Sequence, residues 1–127
     1  MTNTKKKKIL VVEDEISYLK VYRLKLEKEG FEVLFAEDGE EALQKIKEKP
    51  DIILLDIILP KRDGFSVLEE IRKKKDFAHV PIVVASNLGQ KEDQERAHKM
   101  GAQDYFVKAN TSMADIVKII KKHLSEK

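Results

Sequence analysis

Polar side chains follow four of the five short apolar runs in this 127-residue sequence. Glu13 and Asp14 come directly after the first run, Asp56 after the third, Ser86 after the fourth and Lys108 after the fifth. If the runs are parallel strands, their carboxyl ends meet at one edge of a sheet, which is where such sheets bind ligands. We therefore expect three carboxylates, one hydroxyl and one ammonium group to line a common cleft.

This set of groups suits phosphate chemistry beside a metal ion. Neighbouring carboxylates repel one another when ionised, and Mg²⁺ relieves that repulsion because it prefers oxygen ligands from carboxylates, water and phosphate. A metal alone does not explain the lysine and the serine, whereas a phosphate group accepts hydrogen bonds from both. Carboxylates also act as nucleophiles in forming aspartyl phosphates. The set predicts a carboxylate that becomes phosphorylated beside Mg²⁺, or Mn²⁺ in its place.

Each residue alone also has an ordinary structural explanation. An aspartate after a strand is commonly a turn or capping residue, and Asp14 could cap the helix that follows. Ser86 could be a turn residue, and Lys108 a surface lysine. Asp56 fits such an explanation less well because it ends a largely apolar stretch. The functional interpretation therefore depends on all of these residues together.

The apolar runs predict the elements that position these side chains. Most runs are β-branched or aromatic and do not alternate with polar residues, which is typical of strands covered on both faces in an α/β fold. We predict strands at Ile9–Val12, Val33–Ala36, Ile52–Leu55, Ile82–Ala85 and Tyr105–Val107.

Helical patterns lie between and after these runs. The first spans Ile16–Glu29 and is stopped by Gly30, and Asp38 with Glu41 resembles a capping box at the start of the second. The others contain Val67, Leu68 and Ile71, then the polar stretch Lys91–Met100, then the apolar stripe Met113, Ile116, Val117, Ile120 and Leu124. Alternating strands and helices predict a single doubly wound α/β domain, a five-stranded parallel sheet flanked by five helices.

Composition excludes several other classes of protein. The chain has no cysteine, which rules out a disulfide framework, a thiolate metal site and a cysteine nucleophile. The longest apolar runs are far shorter than the roughly 20 residues of a membrane helix, so we expect a soluble, cytoplasmic protein. Net charge is only +2, and the basic run Lys5–Lys8 is interpreted as a solvated terminus rather than a nucleic-acid contact. The three histidines lack metal-ligand spacing and are expected at the surface or its edge: His79, His98 and His123.

The sequence resembles a response regulator receiver domain (CheY-like, two-component signalling) over about residues 8–124. The resemblance implies one receiver domain across residues 1–127 with a flexible basic tail at residues 1–7. It also implies a flavodoxin-like strand order of 2-1-3-4-5. The motifs that carry it are Ile9–Glu15, Ile53–Pro60, Asp63-Gly64, Pro81–Ser86 and Gly101–Lys108.

The resemblance implies a phosphoryl acceptor and a metal site. Asp56 matches the phospho-accepting aspartate, and it would also contact the metal. Asp14 matches a direct Mg²⁺ ligand, and Glu13 matches the neighbouring acid that acts through metal-bound water. The backbone carbonyl of Ile58 would be the third protein ligand.

The resemblance also implies three residues that act on the phosphoryl group or respond to it. Lys108 matches the lysine that binds a phosphoryl oxygen. Ser86 matches the hydroxyl residue that contacts the phosphoryl group and moves on activation. Tyr105 matches an aromatic switch, although a static tyrosine at the edge of the core fits the sequence equally well.

The sequence departs from the family pattern near the site. Ala109 stands where a proline, often with a cis bond, usually follows the lysine, so that loop is either strained or trans. Asn87 replaces a small residue. Ile58 and Leu88 are apolar where many relatives carry polar groups that guide an attacking water. We therefore expect slow self-dephosphorylation.

The implied function is a phosphorylation-dependent switch rather than a conventional enzyme, although the protein would catalyse its own phosphorylation and dephosphorylation. A sensor histidine kinase or phosphotransfer protein would supply the phosphoryl group. The fourth helix, fifth strand and fifth helix would then change their contacts with a downstream protein or a second copy, without nucleic-acid or membrane binding. The alternatives are a degenerate receiver, a flavodoxin-like binding module and a phosphatase with an aspartate nucleophile.

Overall fold

The computed structural model describes residues 6–88 and 90–125. Its parallel sheet has five strands, and numbered in chain order they lie across the sheet in the predicted order 2-1-3-4-5. Residues 1–5 of the expected tail lie outside the described residues. The carbonyl of Lys7 accepts a hydrogen bond from the Glu32 amide at 2.9 Å, so sheet pairing reaches residue 7. The strands are β1 Lys8–Val12, β2 Glu32–Ala36, β3 Ile52–Leu55, β4 Ile82–Ser86 and β5 Asp104–Val107.

Five α-helices flank the sheet within the described part of the chain, at nearly the predicted positions. They are α1 Ile16–Lys28, α2 Gly39–Lys45, α3 Gly64–Lys73, α4 Lys91–Lys99 and α5 Met113–Ser125. Gly30 follows α1 with φ 94° and Gly101 follows α4 with φ 108°, backbone angles that favour glycine at a helix end. Among the described residues, no helix has the length and apolarity needed to cross a membrane.

The core has two layers, one on each face of the sheet. All four β3 side chains are at most 1% exposed, which confirms that this central apolar run is a strand covered on both faces, whereas β2 and β5 at the edges are only partly buried. One face packs against α2, α3 and α4, and the other against α1 and α5. The helical side chains buried in these layers include Val67, Leu68 and Ile71 on the first face and Tyr22, Leu26, Ile116 and Ile120 on the second.

Two local expectations need correction. Asp38 caps α2 by accepting from the Glu41 amide at 2.8 Å, but the Glu41 carboxylate accepts from Glu37 rather than from Asp38. The reciprocal bond of a capping box is therefore displaced by one residue. His123 is buried, not at the surface, with Nε2 2.9 Å from Asp104 Oδ2. It lies three residues after Ile120, so it continues the inward stripe of α5.

Candidate functional site

The strand order brings the predicted acidic residues to one edge of the sheet. β1 and β3 are neighbours with Val12 opposite Leu55, so Glu13 and Asp56 leave adjacent strands at the same level. The Asp56 amide donates to the Val12 carbonyl at 3.1 Å, which extends the pairing to the acidic residue itself. β5 lies two strands beyond β3 and three beyond β1, and the long side chain of Lys108 reaches across that distance.

Lys108 joins the two buried carboxylates. Its Nζ lies 2.7 Å from Glu13 Oε1 and 2.9 Å from Asp56 Oδ2. The three residues are 6%, 1% and 5% exposed respectively. Buried charges are costly unless they are paired. The ion pairs with Lys108 therefore allow all three side chains to be buried. The sequence predicts a common cleft for these groups but not this direct pairing of Lys108 with both carboxylates.

A third carboxylate completes an acidic cluster. Oxygen atoms of Glu13, Asp14 and Asp56 all lie within 4.8 Å of one another. Asp14 is exposed, whereas the other two are buried, so the cluster opens toward solvent on the Asp14 side. The alternative role of Asp14 as a helix cap is not observed, because α1 is capped by Glu15 without a side-chain hydrogen bond. A close group of hard oxygen donors suits a divalent cation.

The charges in the cluster act on one another. Burial raises the pKa of Glu13 above its usual range, and the hydrogen bond from Lys108 only partly opposes this effect. For Lys108, burial lowers the pKa, but the hydrogen bonds to Glu13 and Asp56 outweigh burial and leave the pKa raised. Lys108 therefore stays protonated, yet one ammonium group cannot balance three carboxylates. The cluster therefore contains more acidic than basic groups, an arrangement that suits a further cation.

Ser86 and Tyr105 meet at the loop between β4 and α4. Ser86 is fully buried, and its Oγ accepts from the Leu88 amide at 3.2 Å. Tyr105 is half-buried, and its hydroxyl donates to the Leu88 carbonyl at 2.5 Å. Burial raises the pKa of Tyr105. Both proposed switch residues thus hold the same loop, and the static and switching interpretations of Tyr105 both fit this contact.

The turn after β3 binds the Asp56 carboxylate oxygen that Lys108 does not contact. The Ile58 amide donates to Asp56 Oδ1 at 3.1 Å, while the Ile58 side chain is 60% exposed. α3 returns so closely that a Cβ on Gly64 would lie 2.2 Å from the Asp56 carbonyl oxygen. Any larger residue at position 64 would displace the backbone of Asp56 and Ile57 after β3, which explains the glycine in this motif.

The two departures from the family pattern at positions 87 and 109 are bonded to each other. No cis peptide bond occurs among the described residues, so the Lys108–Ala109 bond is trans. The Ala109 amide donates to Asn87 Oδ1 at 3.0 Å. Proline has no amide hydrogen and could not make this bond. The bond ties the turn that carries Lys108 to the loop that carries Ser86.

The hydrogen bond between Ala109 and Asn87 predicts that Ala109→Pro lowers the stability of the fold. The variant loses the hydrogen bond, worth about 0.5–1.5 kcal/mol. Proline also disfavours a helical conformation at the preceding residue, and Lys108 begins a 3₁₀ turn. We expect urea unfolding to show a lower free energy of unfolding for Ala109→Pro than for the unaltered chain. When Asn87→Ala has already removed the bond, adding Ala109→Pro should lower the free energy of unfolding by less. Equal losses in both backgrounds would contradict the assigned bond.

One residue near the site was not predicted from the sequence. The ring of Tyr18 in α1 lies against Lys108, with Nζ 4.1 Å from the ring centroid. The available signal was the helical spacing of Tyr18 and Tyr22, which places both tyrosines on one face of α1. Neither tyrosine was assigned a role at the site from the sequence.

The sheet order and the acidic edge define the class of protein. Residues 9–121 match the response regulator receiver domain, and the chain belongs to this family, the receiver domains of two-component response regulators. The expected receiver-domain family and its strand order of 2-1-3-4-5 are thereby confirmed.

Similar proteins place the chain within that family. The "Probable transcriptional regulator ycf27" of Cyanophora paradoxa is 44% identical over 104 residues, covering 81% of this chain but 42% of that protein. The BeF3-activated receiver domain of RstA from Klebsiella pneumoniae is 31% identical, with a TM-score of 0.87 and coverage of 94% of this chain and 100% of that chain. The chain therefore spans about two-fifths of the length of the ycf27 regulator.

A third similar protein contains a bound metal ion. The receiver domain of the sensor histidine kinase PA1611 from Pseudomonas aeruginosa PAO1 is 28% identical, with a TM-score of 0.87. The similarity covers 96% of this chain and 100% of that one. That structure has a magnesium ion coordinated in its active site cleft.

Proposed function

We propose that this chain is a phosphorylation-dependent switch in which Asp56 accepts a phosphoryl group from a phosphohistidine. The donor would be a sensor histidine kinase or a phosphotransfer protein. The observation that carries the proposal is the contact of Lys108 Nζ with Glu13 at 2.7 Å and with Asp56 at 2.9 Å. It pairs a buried acceptor carboxylate with a buried cation at the edge of the sheet, and Asp14 keeps that site open to solvent.

The proposed transfer uses groups already in place. An Asp56 carboxylate oxygen attacks phosphorus while the bond from phosphorus to the donor imidazole breaks, and the imidazole keeps the bonding electron pair. The Ile58 amide fixes the carboxylate by holding Oδ1 at 3.1 Å. Lys108, 2.9 Å from Oδ2, is within reach of an oxygen of the arriving phosphoryl group.

The carboxylate cluster fits a divalent metal cofactor. Glu13, Asp14 and Asp56 would hold Mg²⁺, or Mn²⁺ in its place, and the Ile58 carbonyl is a proposed further ligand. When bound, the metal neutralises the negative charge that accumulates on the carboxylates and phosphoryl oxygens. The similar receiver domain of PA1611, with its magnesium ion, supports this assignment.

The proposed response runs through the loop after β4. The Ser86 hydroxyl donates a hydrogen bond to the phosphoryl group, which draws this loop toward Asp56. The hydrogen bond from the Tyr105 hydroxyl to the Leu88 carbonyl then breaks. Tyr105 then fills the vacated space, and the surface of α4, β5 and α5 changes. Of the residues of α4, only Ala97 is buried, which suits a surface for a downstream protein or a second copy. We assign this surface to proteins rather than to nucleic acid or membrane.

A small phosphodonor tests the proposal directly. The folded chain is incubated with acetyl phosphate and Mg²⁺, and its intact mass is measured. We expect one phosphoryl adduct that does not form in EDTA. A folded protein that stays unmodified with Mg²⁺ present would overturn the proposed function.

Phosphoryl lifetime provides a second prediction. Ile58 is 60% exposed and Leu88 is half-buried, so apolar side chains stand where a polar group could guide an attacking water. We expect Ile58→Asn combined with Leu88→Gln to speed phosphate loss on the order of tenfold, the worth of one well-placed hydrogen bond. Decay of the adduct is followed by intact mass. Ile58→Val with Leu88→Ile keeps both positions apolar and should preserve the lifetime; equal decay in both pairs would contradict the prediction.

A further inference from the structure

The Lys108 ammonium has a third neighbour besides its two carboxylates. An ammonium group carries three donors, and those of Lys108 engage Glu13 Oε1 and Asp56 Oδ2. The Tyr18 ring covers another side, 4.1 Å from Nζ. The Lys108 side chain is only 2% exposed, and a cation over an aromatic face is held more strongly when water is excluded. The ring therefore replaces water around this charge.

A second tyrosine supports this ring from within α1. Tyr22 lies one turn further on, with ring centroids 6.2 Å apart and planes inclined by 27°. Tyr22 is 2% exposed, and its hydroxyl has no hydrogen-bond partner among the described residues. An unpaired buried hydroxyl costs free energy, so packing alone would be served better by a leucine or phenylalanine. The Tyr22 hydroxyl is thus not explained by core packing, whereas its ring packs against that of Tyr18.

We propose that Tyr18 is a positioning residue that confines the Lys108 ammonium to the phosphoryl-accepting carboxylate. The proposal rests on the proposed function of Asp56. A lysine side chain is a flexible stem with a strongly hydrated charge, and fixing it after the phosphoryl group arrives would cost conformational entropy. The Tyr18 ring places the charge beforehand, and preorganised charges stabilise a transition state most effectively.

The phosphorylation rate of ring variants tests this role. Rates are measured at saturating acetyl phosphate with Mg²⁺ for the unaltered chain, Tyr18→Phe and Tyr18→Leu. We expect Tyr18→Leu to slow phosphorylation about three- to fivefold, or about 0.6–1 kcal/mol at 1.36 kcal/mol per tenfold. Tyr18→Phe keeps the ring face and should keep the rate, as should the control Tyr22→Phe. The donor concentration for half-maximal rate should not change.

The Lys108→Met background separates positioning from a general structural effect. With the ammonium absent and Mg²⁺ present, Tyr18→Leu should have no further effect on the rate. The same slowing in both backgrounds would overturn the proposal, because Tyr18 would then act independently of Lys108. A normal rate for Tyr18→Leu with Lys108 present would overturn it as well.

A spectroscopic measurement tests the contact without any phosphodonor. The Tyr18 ring should shift the Lys108 Cε proton resonances upfield, and the shift should disappear in Tyr18→Leu but remain in Tyr18→Phe. Identical resonances in all three proteins would overturn the proposal. Absence of any adduct on the unaltered chain would overturn the proposed function and this role together, whereas unaffected Tyr18→Leu phosphorylation would overturn this role alone.

Discussion

Asp56→Asn is expected to abolish the phosphoryl adduct completely while leaving the fold intact. The amide lacks the anionic oxygen needed to attack phosphorus. Its carbonyl oxygen still accepts from the Ile58 amide, which donates to Oδ1 at 3.1 Å in the unaltered chain. Intact mass after incubation with acetyl phosphate and Mg²⁺ measures the loss.

Asp51→Asn is the matched control for this experiment. Asp51 comes directly before β3, so it lies at the opposite end of that strand from Asp56, and its Oδ2 accepts from the Lys8 amide at 2.8 Å. We expect this variant to be phosphorylated normally. An adduct that persists in Asp56→Asn would show that another residue is the acceptor, and the proposed assignment of Asp56 would be wrong.

Lys108→Met should cause a large loss of stability that Mg²⁺ partly restores. The substitution leaves Glu13 and Asp56 buried beside each other without a cation. Removing one partner of a buried ion pair typically costs about 3–5 kcal/mol. Mg²⁺ that binds the folded protein at 100 times its dissociation constant would raise the free energy of unfolding by about 2.7 kcal/mol. Urea unfolding in EDTA and then in Mg²⁺ measures both effects.

Lys121→Met provides the comparison at an exposed ion pair. Lys121 Nζ lies 2.9 Å from Glu29 Oε1, but its side chain is 56% exposed. Exposed pairs are worth about 0–1 kcal/mol, so this variant should lose little stability and gain nothing extra from Mg²⁺. Similar losses in the two variants would mean that burial of Lys108 is energetically unimportant.

The sequence predicts most of this fold because its signals are local and uninterrupted. A strand such as Ile52–Leu55 is apolar on both faces, and that pattern is satisfied by a sheet covered on both sides. Helix ends were placed within a residue at α1 and α4, where glycines with positive φ follow. His123 was expected at the surface or its edge but is buried, because a polar residue at the end of an apolar stripe can be buried when it finds a partner such as Asp104.

The site could be predicted by location but not by its contacts. Strand ends alone bring Glu13, Asp56 and Lys108 to one edge, although Lys108 is 95 residues from Glu13 and 52 residues from Asp56 in the chain. Their pairing depends on side-chain conformations and on burial, which follow from the packed core rather than from spacing. The same is true of the bond between Asn87 and Ala109, which looked like two unrelated departures in the sequence.

That bond gives the loop after β4 a pivot. Leu88 is held by Tyr105, and its neighbour Asn87 is held by Ala109. If Tyr105 releases Leu88 on phosphorylation, the loop remains anchored at Asn87 and swings rather than detaches. The Ala109 amide should then resist hydrogen exchange equally before and after phosphorylation. Faster exchange in the phosphorylated protein would mean that the hydrogen bond between Asn87 and Ala109 also breaks.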